Sequence, residues 1–205
     1  MFRGFGVNIM KHYKLYLWGL VGFVVFALLF FIATGIAIYR FNYVGRVARG
    51  VCKIVPCPMA KIGNHFIKYS DFWFDLDSLN YFYNSQKDTA GMPMPDEKTI
   101  KQNVLDRLLE NYILENLAKE KGISVSKDEV EADYQTVSEE NNGEENLKKI
   151  LKDYYNWTPE VFKARVIYYS LLGEKLSQIL GGDEQLTTTA KERLNSEKVT
   201  KYISF

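Results

Sequence analysis

The sequence holds only two cysteines, two histidines and five prolines among its 205 residues. A structural metal site needs four ligands at close spacing, and Cys52 and Cys57 with the distant His12 and His65 do not supply one, so neither a metal nor a cofactor is expected. Charge imbalance is lacking too: 26 Lys and Arg stand against 25 Asp and Glu, a net charge of +1 that gives nucleic acid no basic surface to meet. No glycine-rich phosphate loop, serine-hydrolase elbow or zinc-protease pair is present. The acidic pairs Asp75 with Asp77, Glu139 with Glu140 and Glu144 with Glu145 have few apolar neighbours to raise a pKa, and read as solvated helix surface rather than acid–base machinery. No catalytic residue is therefore assigned and no enzyme activity is expected.

What the sequence does have is one long hydrophobic run. Leu15 to Tyr39 passes 25 residues without a charge. As a helix it is roughly 37 Å long, enough to cross a hydrocarbon core of about 30 Å with some tilt. The run is longer than the apolar core of a signal peptide and is followed by no clear small-residue cleavage site. Tyr13, Tyr16 and Trp18 at one end and Tyr39 and Tyr43 at the other suit the two lipid–water interfaces. Membrane lipid is thus a partner through Leu15 to Tyr39, after a short N-terminus of residues 1–14. Orientation is open on charge alone, because Arg3, Lys11 and Lys14 before the span face Arg40, Arg46, Arg49 and Lys53 after it. Gly19 and Gly22 lack the spacing of a helix-dimer motif.

Residues 40–59 mix basic and apolar side chains with Pro56 and Pro58 and read as a juxtamembrane tether, its arginines near lipid headgroups. Cys52 and Cys57 lie in it. They either close a small loop as a disulfide outside the cytoplasm or remain two unpaired thiols. MAKIGNHFIKY then alternates around Gly63-Asn64, which allows a short strand pair.

The remainder is helical. Ser70 can cap a helix over DFWFDLDSLNYFYN, in which Phe72, Leu76, Leu79 and Tyr83 form one stripe while Phe74 and Tyr81 lie on the opposite side. Phe74 and Tyr81 either pack under another helix or form an apolar surface for a partner. Gln86 to Pro95 is a flexible connection. From Asp96 a core helix carries Ile100, Val104, Leu105, Leu108, Leu109, Tyr112 and Ile113, and Gly122 ends it. Ser126 and Glu129 form a capping box, with Val125 and Val130 as its hydrophobic staple, so the joint fixes the angle to the next helix. That helix is acidic and thinly apolar (Val130, Tyr134, Val137), and is expected on the surface. Asn141-Asn142-Gly143 breaks it. After a short helix, Thr158-Pro159 starts the last long one, which Gly181-Gly182 ends; Asn156-Trp157-Thr158, which also matches a glycosylation acceptor, is explained by this capping. Residues 183–205 read as a polar tail with at most a marginal helix around Ala190 to Leu194.

Three segments, KIGNHFIKYSDFW, NVLDRLLENYILENLAKEKGISVSKDEVEADY and ILKDYYNWTPEVFKARVIYYSLLGEKL, resemble the N-terminal chaperone domain of SurA-like, PrsA-like and PpiD-like foldases. The resemblance covers Ala60 to Leu180. It implies a mainly all-α chain in which a single transmembrane helix precedes a helical SurA-like domain over residues 60–182. It also implies that the N-terminus is cytoplasmic and the folded part extracytoplasmic, at the cell membrane of a bacterial envelope. Related foldases continue into a parvulin-type prolyl isomerase module, for which the residues after Gly181 are too few.

The function so implied is that of a membrane-anchored chaperone-like protein that holds unfolded or newly exported polypeptides on apolar surface without a chemical step. Phe72, Phe74, Tyr81 and Phe82 are its candidate client-binding residues, since their helix has more aromatics than one core face needs. Two alternatives stand beside it: a remnant or subunit of a parvulin-type isomerase, and an envelope scaffold for one specific partner.

Overall fold

A computed structural model gives the fold and describes residues 6–41, 43, 45–87 and 94–203. The chain divides into two compact units, one reaching Pro56 and one running from Cys57 to Ile203.

The first unit consists of α1 (Gly6–Phe41) and α2 (Arg46–Ile54). Within α1, Gly19–Phe41 is long and apolar enough to cross a membrane: its 23 residues make a helix of about 35 Å. Leu20, Phe23, Phe26, Leu29 and Ile32 are all exposed, as suits a helix whose surroundings are apolar on every side. Thr34 within it is internally satisfied, because its hydroxyl donates to the Phe30 carbonyl at 2.8 Å. The segment expected to be a tether is not featureless: α2 occupies its middle and its last residues enter a strand. Neither cysteine is a free thiol; Cys52 and Cys57 are disulfide-bonded.

The second unit opens with a hairpin, β1 (Pro58–Ile62) and β2 (His65–Lys68). Ile62 pairs with His65 across a two-residue loop whose first member, Gly63, has φ +52°, a conformation glycine takes without strain. Next come α3 (Tyr69–Lys87), α4 (Glu97–Lys121), α5 (Lys127–Glu140) and α6 (Glu144–Tyr155). A helical run from Pro159 to Leu180 follows, made of α7 (Pro159–Phe162), a π-helical segment (Lys163–Ile167) and α8 (Tyr168–Leu180). The chain closes with α9 (Asp183–Ser196) and β3 (Val199–Lys201). The fold is mainly α, with a small sheet in the order β2-β1-β3.

Most helix ends follow their local chemistry. Asp96 accepts from the Thr99 amide at 3.0 Å to start α4, and Gly122 ends it with φ +67°. At the α4–α5 joint the capping box is complete: the Ser126 amide donates to Glu129 Oε2 at 2.8 Å and the Glu129 amide donates to Ser126 Oγ at 3.2 Å. Thr158 caps α7 with Pro159 at the first helical position.

Four expectations are corrected. Ser70 caps nothing, because α3 already begins at Tyr69, whose amide donates to the Cys57 carbonyl at 2.8 Å; the helix follows β2 without a break. Helix α5 is not merely surface, since Tyr134 is buried in a cluster with Leu147, Leu151, Trp157 and Ile167. The last long helix is not uniform, being interrupted after its first four residues by the π segment. Nor do residues 183–203 form a tail. They make a helix of 14 residues and a strand that pairs antiparallel with β1, Ile62 to Val199 and Ala60 to Lys201. A free strand edge was waiting there, and Ile203 buries itself just beyond the pairing. The greater part of the connection expected over Gln86 to Pro95 lies outside the described residues, as do the side chains of Tyr13 and Trp18.

The joint is also tied to α8. Lys175 Nζ lies 2.5 Å from Glu129 Oε1 and donates to the Ser124 carbonyl at 2.8 Å. Hydrogen bonds from Lys175 and from Ser126 hold the Glu129 carboxyl at about 2, below its ordinary 4.5. A depressed carboxylate contributes stability that is present above its unfolded pKa and lost as pH falls through the folded one. Ser126→Ala is expected to cost about 1 kcal/mol in urea denaturation at neutral pH. Glu129→Gln is expected to lower stability at pH 7 and to flatten its fall between pH 4.5 and about 2. An unchanged acid profile in Glu129→Gln would show that the joint carries no such coupling.

Candidate functional site

Helix α3 carries the aromatic surplus, and the structure distributes it unequally. Phe72 is fully buried, as is Leu76 one turn on, so it is a core residue with no exposed surface to offer a client. Phe74 is 37% exposed; its ring stacks on Trp157 at 6.5 Å and lies under the Arg165 guanidinium at 4.5 Å. Phe82, just over two turns on, stacks on Tyr155 at 5.2 Å, and Tyr155 meets Trp157 at 5.3 Å. Phe74, Trp157, Tyr155 and Phe82 therefore form one aromatic row joining α3 to the end of α6. Tyr81 remains exposed at 42%.

The row is fixed by polar contacts beneath it. Trp157 Nε1 donates to Ser78 Oγ at 2.6 Å, and the Ser78 hydroxyl donates to the Phe74 carbonyl at 2.9 Å. One turn away, Asp75 contradicts its reading as solvated surface. Its side chain is 1% exposed and is met by Arg165 at 2.5 Å and by Arg107 at 2.8 Å, while Asp71 lies 3.4 Å from Arg165. A carboxylate so far from water requires its cations, because an unpaired buried charge costs several kcal/mol. Arg165 comes from the π segment and Arg107 from α4, so one carboxylate on α3 joins three elements. Two small cavities flank it: one of about 230 Å³ reaching Asn111 and Tyr169, and one of about 300 Å³ reaching Tyr83, Tyr155 and Trp157.

A larger groove of about 530 Å³ lies on the other side of the π segment. Its apolar lining is Val125 and Val130 from the joint and α5, with Ala164 and Tyr168 from the helical run. Its charged lining is Lys127, Glu131, Glu160 and Lys163. Lys163 pairs with Glu131 at 3.0 Å and stands over the Tyr134 ring at 4.8 Å. Their hydrogen bond lowers the Glu131 pKa and raises that of Lys163, so both stay charged at neutral pH. The Glu160 carboxyl is lowered by its own backbone amide and by Thr158. With two cations and two anions the rim is balanced, and the floor is what it offers a ligand. The volume falls within the roughly 300–1,000 Å³ of clefts that enclose small ligands. No group of three or more metal-ligating side chains occurs among the described residues.

The sequence offers candidate residues on α3 alone and does not show this groove. Half of its signal was visible, since Val125 and Val130 are the staple of the capping box. The other half, Ala164 and Tyr168 four apart on one helical side, has no local mark to show that it faces the joint.

The model of the SurA-like N-terminal domain family matches residues 7–176, and the chain belongs to that family. The match runs from α1 into α8 and begins well before the Ala60 at which the resemblance in the sequence starts. No curated protein matches the chain.

The ion network makes its own prediction. Asp75→Ala, which strands Arg165 in a largely buried site, is expected to destabilise the protein by about 3 kcal/mol in urea denaturation. Arg107→Gln is expected to cost under about 1 kcal/mol, because Arg107 is 45% exposed and water can replace it in part. Asp75→Leu combined with Arg165→Met is expected to recover most of the loss, since the charges then left without these partners, Arg107 and Asp71, are 45% and 43% exposed and can be solvated.

Proposed function

We propose that this member of the SurA-like N-terminal domain family is a membrane-anchored holding protein, which takes up apolar segments of unfolded or newly exported polypeptides and performs no chemical step. The groove beside the capped joint carries the reading. It offers a preformed apolar floor on rigid helices, ringed by charges that neutralise one another, so it selects for apolarity and not for the sign of a client's charge. One buried aliphatic or aromatic side chain is worth about 1.5–3 kcal/mol, which gives weak, broad and reversible binding when a few are engaged. The exposed Tyr81 and the half-covered Phe74 and Phe82 extend the apolar surface along α3.

Anchoring rests on Gly19–Phe41, which has the length and composition to cross a bilayer. In this reading the N-terminus is cytoplasmic and the domain extracytoplasmic. The family supports that side, and so does the disulfide of Cys52 and Cys57, a bond that persists in oxidising compartments. A signal sequence would pass the same test of length, and it is told apart by cleavage: the anchored protein keeps its first residues and resists alkaline extraction.

The holding activity is tested with the full chain in nanodiscs, scoring suppression of aggregation for two unrelated unfolded proteins. Ala164 is exposed on the groove floor, so Ala164→Trp can fill the groove with little disturbance of the core. The expected result is suppression of both substrates by the wild type, several-fold weaker in Ala164→Trp and only slightly weaker in Tyr81→Ser. Full suppression by Ala164→Trp would remove the groove from the mechanism, and a wild type inactive toward both substrates would remove the holding function.

A further inference from the structure

The net charge of +1 conceals a segregation. All 25 acidic residues lie beyond Ser70, while the first 70 residues carry nine Lys and Arg and no acid. Four of those cations lie at the end of the apolar span or within 12 residues after it: Arg40, Arg46, Arg49 and Lys53. Helix α2 presents two of them in a particular way. Its buried residues are Ala48, Val51 and Cys52, so the opposite face is outward, and there Arg46 and Lys53 stand exposed beside Val47 and Ile54, the latter 79% exposed.

Isoleucine so exposed gains nothing in water, whereas cations beside apolar side chains on one helix face match the boundary between phosphate headgroups and acyl chains. Being continuous with the span, this face cannot travel far from the bilayer surface. We infer that the outward face of α2 is a binding surface for anionic phospholipid, with Arg46 and Lys53 meeting headgroup phosphates and Val47 and Ile54 entering the acyl boundary. The inference rests on the proposed membrane anchoring and adds a lipid preference to it. It also gives the cations after the span a purpose that orientation does not, since their number nearly equals that of the cations before it.

The test uses the full chain carrying Ile54→Cys, whose thiol can be labelled alone because both native cysteines are disulfide-bonded. With an apolar fluorophore at that position, quenching by brominated phosphatidylglycerol is compared with quenching by brominated phosphatidylcholine in mixed vesicles. The expected relative association constant favours phosphatidylglycerol several-fold and falls toward one in Arg46→Gln/Lys53→Gln, each cation near an anionic surface being worth about five-fold. Equal quenching by the two lipids, no quenching by either, or a preference unchanged in the double variant would each overturn the proposal. Alkaline extraction of the same vesicles separates the two readings. Retained protein without lipid preference refutes only the α2 surface, while released protein refutes the anchor and the surface with it.

Discussion

One buried carboxylate governs how the second unit is put together. Asp75 cannot be left without its partners, and those partners come from α4 and from the π segment. An apolar contact between three helices tolerates sliding by a fraction of a turn; a desolvated ion network does not, because each ångström of separation exposes an uncompensated charge. The π segment belongs to the same constraint. A π turn inserts a residue into an α-helical run and shifts the register of side chains on either side of it. Here it holds Arg165 against Asp75 while its neighbours Lys163 and Ala164 line the groove. The element that satisfies the buried charge is thus also a wall of the candidate site. Trp157, pinned to Ser78, extends the same seam along the aromatic row.

Features legible in the sequence were those whose physics is local. Gly122, Ser126 with Glu129, and Thr158-Pro159 mark helix ends because a cap is a bond between residues three or four apart, and each was found in place, whereas Ser70 lies inside a helix that begins directly from β2. The apolar span and the broad stripe of α4 were legible because periodicity over a long window reports burial. What failed to show depended on distant pairing. Asp75 looked like half of a solvated pair with Asp77 until Arg165, ninety residues on, met it. Tyr134 sits in an acidic helix, and only the cluster with Leu147, Leu151 and Trp157 makes it core. The strand β3 carries one pattern residue, Val199, and exists because β1 had an unpaired edge.

The aromatic surplus of α3 shows how a local inference is resolved only by the packing around it. The helix does carry more rings than one face can bury. The resolution is graded: Phe72 in the core, Phe74 and Phe82 against partner rings from the α6 end, Tyr81 outside. Stacking gives a half-exposed ring a place to rest, about 0.5–1.5 kcal/mol beyond its buried area, and it keeps apolar surface available without a large open patch. On the proposed holding function that matters directly, since a surface meant for unfolded chains would otherwise take up a second copy of itself.

Rigidity follows from the same arrangement. The groove is bounded on one side by the joint, where Ser126 and Glu129 cap each other and Lys175 binds both Glu129 and the Ser124 carbonyl. On the other side stands the π segment, held by Asp75. Both walls are tied down by polar contacts. Adaptation to the shape of a bound segment is then left to side chains, and the lining is suited to it. Tyr168 presents an apolar ring with a polar tip, while Lys127 and Lys163 can lay their methylene stems over apolar surface and keep their charges in water. A fixed backbone lowers the entropy lost when a segment binds, and amphipathic side chains that can repack leave specificity low. On the proposed holding function, both properties favour brief contact with many clients over a lasting complex with one.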